Sequence, residues 1–387
     1  MLTLSPDQQS ALDIILTWWN EPNRQSYLTL GGYAGTGKST LISVLRRELH
    51  RKNQELKVAF VSYTGKATRV LQSKIKETKA TFPQDSISTI HSLIYSPRGG
   101  SGGEITGWDL RPQIKYDLVV VDEASMVDQR IWYDLMSFRV PLLAVGDHGQ
   151  LPPIAGAFNL MEKPMIRLEK IHRQAEGNPI IHLSLLARQE GKIPPGKHGE
   201  GVVKLLKEDY ESQEKVESLL NQYDNDTLVL CGYNNTRLKL NNFVRGARGF
   251  ETPDPEVNDR VICLRNNHRR GIFNGQLGTL TDIYPQDETW YAAEIEMDDE
   301  ERAYEGLIHR GQFGNNGTVV FSDKKQAMVG DLFDFGYALT VHKAQGSQAR
   351  RVLLFEERFK QMDDLTWRRW LYTAVTRAEQ ELWIIGD

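Results

Sequence analysis

Residues 31–40 read Gly-Gly-Tyr-Ala-Gly-Thr-Gly-Lys-Ser-Thr, and Gly32 to Ser39 spell the complete pattern G-x-x-x-x-G-K-[ST]. No other feature constrains the fold as tightly, because such a loop holds phosphate oxygens only where it joins a buried strand to the start of a helix. Both flanks comply. Tyr27-Leu28-Thr29-Leu30 is a short apolar strand, and Leu41, Ile42, Val44, Leu45 and Leu49 recur at helical spacing after Lys38. Gly32, Gly35 and Gly37 let the backbone curl until its N–H groups face inward at the positive end of the helix. The pattern places Thr36 and Thr40 beside the phosphates, directs Lys38 to the β- and γ-phosphates, and gives the Ser39 hydroxyl to Mg²⁺. ATP with Mg²⁺ is the expected cofactor pair.

Asp117-Leu118-Val119-Val120-Val121-Asp122-Glu123 has the continuous apolar character of a central strand and ends in two acids. A strand of this kind delivers carboxylates to the carboxyl edge of a parallel sheet. Asp122 is expected to bind Mg²⁺, directly or through water, and Glu123 to orient and deprotonate an attacking water. A second apolar strand, Pro141–Val145, runs into Gly146-Asp147-His148-Gly149-Gln150-Leu151-Pro152-Pro153, which puts the Gln150 amide where it senses a γ-phosphate. The fold class is therefore α/β with parallel sheets.

The 387 residues suffice for two to three domains, and 40% hydrophobic with 25% charged residues is ordinary for a globular protein. Cys231 and Cys263 have no C-x-x-C spacing, so neither a zinc site nor a disulfide framework is indicated and a cytoplasmic setting is expected. No segment approaches the apolar length of a membrane span, and no export signal is visible. The net charge of −4 argues against a general polyanion binder, yet a local groove of Lys and Arg still tracks a phosphate backbone.

The order Gln8, Gly32–Ser39, Thr64-Gly65-Lys66-Ala67, Thr89-Ile90-His91, Asp122-Glu123-Ala124-Ser125, Gly146–Pro153, Arg173-Gln174, Thr340–Ser347 and Tyr372–Arg377 resembles the motif ladder of superfamily 1 helicases, above all the 1B group of RecD-like and Dda-like enzymes. The resemblance spans essentially the whole chain. It implies an ATP hydrolase that moves 5′ to 3′ on single-stranded DNA and unwinds tailed duplexes, working as a monomer, with replication or recombination proteins as candidate partners. Gln8 matches the adenine-reading glutamine, although Ser5-Pro6-Asp7 reads equally well as a plain helix cap. Arg173 and Arg377 match the two arginines directed at the γ-phosphate.

For nucleic acid, the motifs point to Thr64, Gly65 and Lys66 after the strand Val58–Ser62, to Thr89 and His91, and to Thr340, His342 and Lys343, with Asn234 capping a helix over Asn234–Arg245. That helix is expected to bury Leu238, Leu240 and Phe243. His91 and His342 read equally as core histidines. Phosphate contacts of this sort give little base specificity, and none of them tests a 2′-hydroxyl, so an RNA motor remains a rival, as does a nucleotide-gated DNA clamp.

By resemblance, residues 1–91 and 114–170 form one RecA-like lobe (1A), and 171–265 with 326–387 form the second (2A). Between Ser96 and Ile114 a short, glycine-rich stretch ending in Trp108 stands where the family has its 1B hairpin; Trp108 either stacks on a junction base or anchors a glycine loop. Residues 266–325, with Asn274-Gly275 and alternating runs at Tyr291–Met297 and Thr318–Phe321, suggest a small barrel, the family's SH3-like 2B domain.

Overall fold

The computed structural model describes residues 4–99, 105–153, 158–170, 177–267, 270–298, 303–321 and 328–387. Contacts divide the chain into two compact units, Met1–Ser96 with Asp109–Gln189, and Pro97–Trp108 with Glu190–Asp387. The residues around Ile171, where a second lobe was expected to begin, lie outside the described set, and the helix Pro179–Gln189 belongs to the first unit.

In the first unit six parallel strands lie in the order Ser86–Thr89, Val58–Ser62, Leu118–Asp122, Leu142–Gly146, Tyr27–Gly32, Ile166–Leu168. Their central members are buried along their length, which explains why they read as unbroken apolar runs. Leu30, Phe60, Val120 and Val145 pack in one core with Ile15 of the helix Pro6–Asn20 and Leu45 of the helix Lys38–Lys52. A buried bidentate pair, Arg46 Nη2 and Nε to Asp85 at 2.8 and 2.9 Å, ties that second helix to the segment entering the edge strand.

The second unit carries a six-stranded sheet ordered Ala338–Thr340, Thr227–Cys231, Ala349–Phe355, Ala378–Gly386, Val202–Leu206, Gly196–Gly199, parallel except for the last strand. Inserted in it is an antiparallel sheet ordered Tyr304–His309, Trp290–Met297, Leu277–Pro285, Arg260–Cys263, Phe333–Phe335. A bridge between Ile308 and Asp331, sealed by His309 N–H to Asp331 O at 3.0 Å and Asp331 N–H to Leu307 O at 2.8 Å, joins its two edges. The sheet therefore closes on itself around Ile295, Leu280 and Phe333. It is wider than the 266–325 suggested by sequence texture, because its first and last strands are apolar runs like those of the larger sheet. Thr318–Phe321 is not a strand: Val320 is 91% exposed, while Phe321 stacks on Trp290 at 6.1 Å.

Two expectations for the helix near Asn234 are corrected. The helix spans Asn234–Ala247 and its N-cap is Tyr233, with no side-chain cap of its own. Glu357, distant in sequence, supplies the missing acceptor: its Oε2 takes the Gly232 and Tyr233 N–H groups at 2.9 Å each, and its Oε1 takes the Thr236 hydroxyl. The buried face runs through Arg237, Leu240, Asn241, Val244 and Arg245, which turns Phe243 outward at 39% exposure.

Candidate nucleotide site and nucleic-acid motifs

Strand register brings the motifs of the first unit to one edge. Ser62 pairs with Asp122 and Thr89, and Gly31 with Gly146, so the phosphate loop, the Asp122-Glu123 pair, the Thr64 and Thr89 turns and the Gly146–Gln150 turn all leave the sheet at its carboxyl ends. Clefts at that edge are where open parallel sheets bind ligands.

Gly35 and Gly37 adopt φ of +79° and +75°, the left-handed region where a side chain is strained. A Cβ on Gly32 would lie 2.7 Å from Thr36 Oγ1 and 3.1 Å from Lys38 Cγ. Lys38 Nζ donates to Gly32 O at 2.7 Å and Tyr33 O at 3.1 Å, and the Thr36 hydroxyl donates to Tyr33 O at 2.8 Å. Gln8, 1% exposed, has both ends of its amide engaged. Its Oε1 accepts from Ser5 N–H at 3.0 Å as the far half of a capping box, and its Nε2 donates to Thr36 O at 3.0 Å. Ser5-Pro6-Asp7 thus is a helix cap, and the same cap braces the phosphate loop.

Asp122, half-buried at the end of its strand, has its carboxyl pushed up to about 6, by desolvation first and then by the neighbouring Glu123 charge, with Lys74 and Lys38 opposing. Glu123 sits at φ +51°, costing about 1 kcal/mol for a residue with a side chain, where it caps the short 3-10 turn Ala124–Met126. Its Oε2 is buried and has no hydrogen-bond partner among the described residues. The same is true of Gln150 Oε1 on the neighbouring turn. Unpartnered buried acceptors are rare and mark places where a water or ligand completes the site.

Sequence reasoning passed over two neighbours of this loop. The Tyr33 ring lies 4.1 Å from the His148 ring, and the Arg188 guanidinium lies 3.5 Å over it. His148 is held down to about 4, by burial first and then by the Arg167, Lys38 and Arg188 charges, so it is neutral at pH 7. The only sequence signal was an aromatic inside a phosphate loop.

Thr64 is the N-cap of the helix Gly65–Glu77, its hydroxyl accepting from Ala67 N–H at 3.2 Å, and Thr89 repeats this with Ser92 N–H at 3.2 Å. His91 is buried with its ring 6.0 Å from Tyr63 and 5.8 Å from Tyr95. The Lys66 side chain lies outside the described residues, as does Arg173. Trp108 lies in the strand Ile105–Leu110, paired with Tyr95–Gly99, and its Nε1 is buried with no partner among the described residues.

In the second unit Cys231 pairs with Thr340, which brings the Asn234 turn and the Thr340–Lys343 turn to the same sheet edge. Burial lowers His342, and burial together with the Arg237 charge lowers Lys343 to about 8. Arg377, 2% exposed, donates through Nε to Thr373 O at 3.0 Å and through Nη1 to Ser347 O at 3.2 Å. It therefore ties the end of the Thr340–Ser347 motif to the helix Asp364–Val375.

The AAA domain family matches residues 3–207, more than half of the chain, and the UvrD-like helicase C-terminal domain matches residues 335–385. The ATP-dependent RecD2 DNA helicase of Deinococcus radiodurans is 28% identical over 99% of this chain and 49% of its own length, so the chain spans about half of that relative. The RecD subunit of the Mycobacterium tuberculosis RecBCD enzyme is 25% identical over 98% of this chain and 69% of its own length. A Pif1 helicase solved in a study of unwinding at forked double-stranded DNA by two coordinating Pif1 helicases shares the fold at a TM-score of 0.51 with 17% identity, covering 99% of this chain and 92% of that one. Bacteroides Pif1 in complex with ADP-AlF3 and single-stranded DNA does so at 0.50 with 17% identity, covering 100% of this chain and 93% of that one. With the phosphate loop, the paired acids and the glutamine turn gathered on one sheet edge, the chain belongs to the AAA domain family, carries a match to the UvrD-like helicase C-terminal domain, and is similar to the RecD2 and RecD helicases.

Proposed function

We propose that the chain is an ATP-driven DNA motor that translocates 5′ to 3′ on single-stranded DNA and separates tailed duplexes. The observation that carries the reading is the carboxyl edge of the first sheet, where a phosphate loop, the half-buried Asp122 and two unpartnered acceptors, Glu123 Oε2 and Gln150 Oε1, stand together. A relative named as an ATP-dependent DNA helicase, and a Pif1 structure in complex with single-stranded DNA, support DNA as the track.

Gly32, Gly35, Thr36, Gly37 and Thr40 cradle the phosphates, Lys38 leaves the loop carbonyls for β- and γ-oxygens, and Gln8 reads adenine or braces the loop. Mg²⁺ fits the donor set: the Ser39 hydroxyl and the Asp122 carboxylate are hard oxygen donors, and a cation relieves the burial that lifts Asp122. When bound, it neutralises charge developing on the transferred phosphoryl group. Glu123 takes the proton of the attacking water, Gln150 orients that water, and Arg173 and Arg377 stabilise the charge on the departing phosphate. We assign the first unit's sheet as lobe 1A, the second unit's large sheet as 2A, the closed sheet as the 2B domain and the Tyr95–Leu110 hairpin as 1B. Trp108 on that hairpin stacks on the base at the junction, contributing about 1–3 kcal/mol.

DNA is gripped through Thr64, Gly65, Lys66, Thr89 and His91 in one unit and Asn234, Thr340, His342 and Lys343 in the other. Among the described residues no helix is long and apolar enough to cross a membrane. Stimulation of ATP hydrolysis by single-stranded DNA tests the reading, and Lys343 adds a pH signature. Its ammonium, lowered to about 8, is charged at pH 7 and loses its proton as pH rises through 8. The DNA concentration for half-maximal stimulation is expected to climb between pH 7.5 and 9. Lys343→Met is expected to flatten that rise and to reduce the salt slope by about one ion. An ATPase indifferent to DNA contradicts the motor reading, and an unchanged pH profile in Lys343→Met contradicts the phosphate contact.

A further inference from the structure

On the ATP-hydrolase reading above, we infer that Arg188 is a further cation for the terminal phosphate of ATP, supplied by the same unit as the phosphate loop and resting on Tyr33 in the nucleotide-free state. Arg188 ends the helix Pro179–Gln189, whose buried Ile180, Leu183 and Ala187 fix its place. Its guanidinium carbon lies 3.5 Å over the ring of Tyr33, a residue of the phosphate loop itself. Stacking on an aromatic face engages the plane of the guanidinium and leaves its N–H edge available. That edge is incomplete: Nη1 is buried and has no hydrogen-bond partner among the described residues. A buried cationic donor without an acceptor is costly, and a site that keeps one keeps it for an anion.

The loop geometry identifies which part of the nucleotide Arg188 meets. Lys38, whose ammonium serves the β- and γ-phosphates, rests on the carbonyls of Gly32 and Tyr33, so the backbone beneath Arg188 borders the terminal phosphate rather than the base. The His148 ring packs 4.1 Å from Tyr33 on the turn that carries Gln150, which places the stack beside the glutamine as well. His148 is neutral at pH 7, so it fixes the ring without adding charge. ADP lacks the phosphate that Arg188 would hold, so the contact separates ATP from ADP.

Calorimetric titration of the full chain with ATPγS and with ADP, both with Mg²⁺, tests this. Arg188→Ala is expected to weaken ATPγS by about 10- to 100-fold, the worth of a charge-assisted hydrogen bond, and ADP by less than about threefold. Arg188→Lys keeps the stem and the charge but not the fork, and falls between. Equal weakening of both nucleotides, which would make the stack a base platform, or weakening of neither, overturns the inference. Should Arg188→Ala fail to fold, Arg188→Lys carries the same comparison. A wild-type chain that binds neither nucleotide, or a Lys38→Ala variant that binds both like wild type, faults the ATP reading itself and not the role of Arg188.

Discussion

Lys38→Ala is expected to lower ATP turnover by at least about a hundredfold while leaving the fold intact. In the nucleotide-free protein the ammonium is held by two carbonyls of its own loop, Gly32 O at 2.7 Å and Tyr33 O at 3.1 Å. Those contacts are exchanged for phosphate oxygens when ATP enters, so the side chain's electrostatic work is done only with substrate present. The carbonyls it leaves are reachable by water, because Lys38 is only half-buried. A thermal melt is therefore expected to shift little. Turnover near wild type in Lys38→Ala would remove the loop from the chemistry, and a collapsed melt would make the residue structural.

Glu123→Gln is expected to cost about 10²- to 10⁴-fold in turnover, the range for loss of a general base, while nucleotide binding survives. The backbone at φ +51° aims this carboxylate, and the amide keeps the shape while losing the basicity. A second readout separates catalysis from packing. Asp122 stands at about 6 because it is desolvated and because Glu123 is charged beside it. An acid so lifted takes up a proton below pH 6, so Mg²⁺-dependent nucleotide binding weakens progressively as pH falls below that value. Removing the Glu123 charge makes Asp122 easier to ionise, and the acid limit of binding is expected to move to lower pH in Glu123→Gln. An unmoved limit, or undiminished turnover, contradicts the pairing of these two acids.

Much of the nucleotide edge was legible because its signals are local. Val58–Ser62 is a strand with the expected bounds, since it is a short apolar run buried on both faces. The phosphate loop advertised its own strand and helix. What escaped the sequence was set by partners distant along the chain. The helix at Asn234 reads as self-capped, yet Glu357 caps it from the end of the neighbouring strand Ala349–Phe355. Phe243 fits a helical period, but the wider buried face through Arg237, Asn241 and Arg245 carries polar residues that a hydrophobic pattern does not count. Arg237 pairs with Asp334 at 2.7 Å and Arg245 with Asp259 at 2.8 Å, which is what permits their burial. Arg188 on Tyr33 belongs to the same class, since nothing in the segment Pro179–Gln189 names a phosphate loop as its neighbour.

The central claim is a directional DNA motor, and it is tested most directly by ATP-dependent strand displacement from matched duplexes carrying a 5′ or a 3′ single-stranded DNA tail, with Lys38→Ala as the control. Displacement of the 5′-tailed substrate alone, abolished in the control, is the predicted result. Displacement only from the 3′ tail, or none from either while ATP hydrolysis is intact, would contradict it.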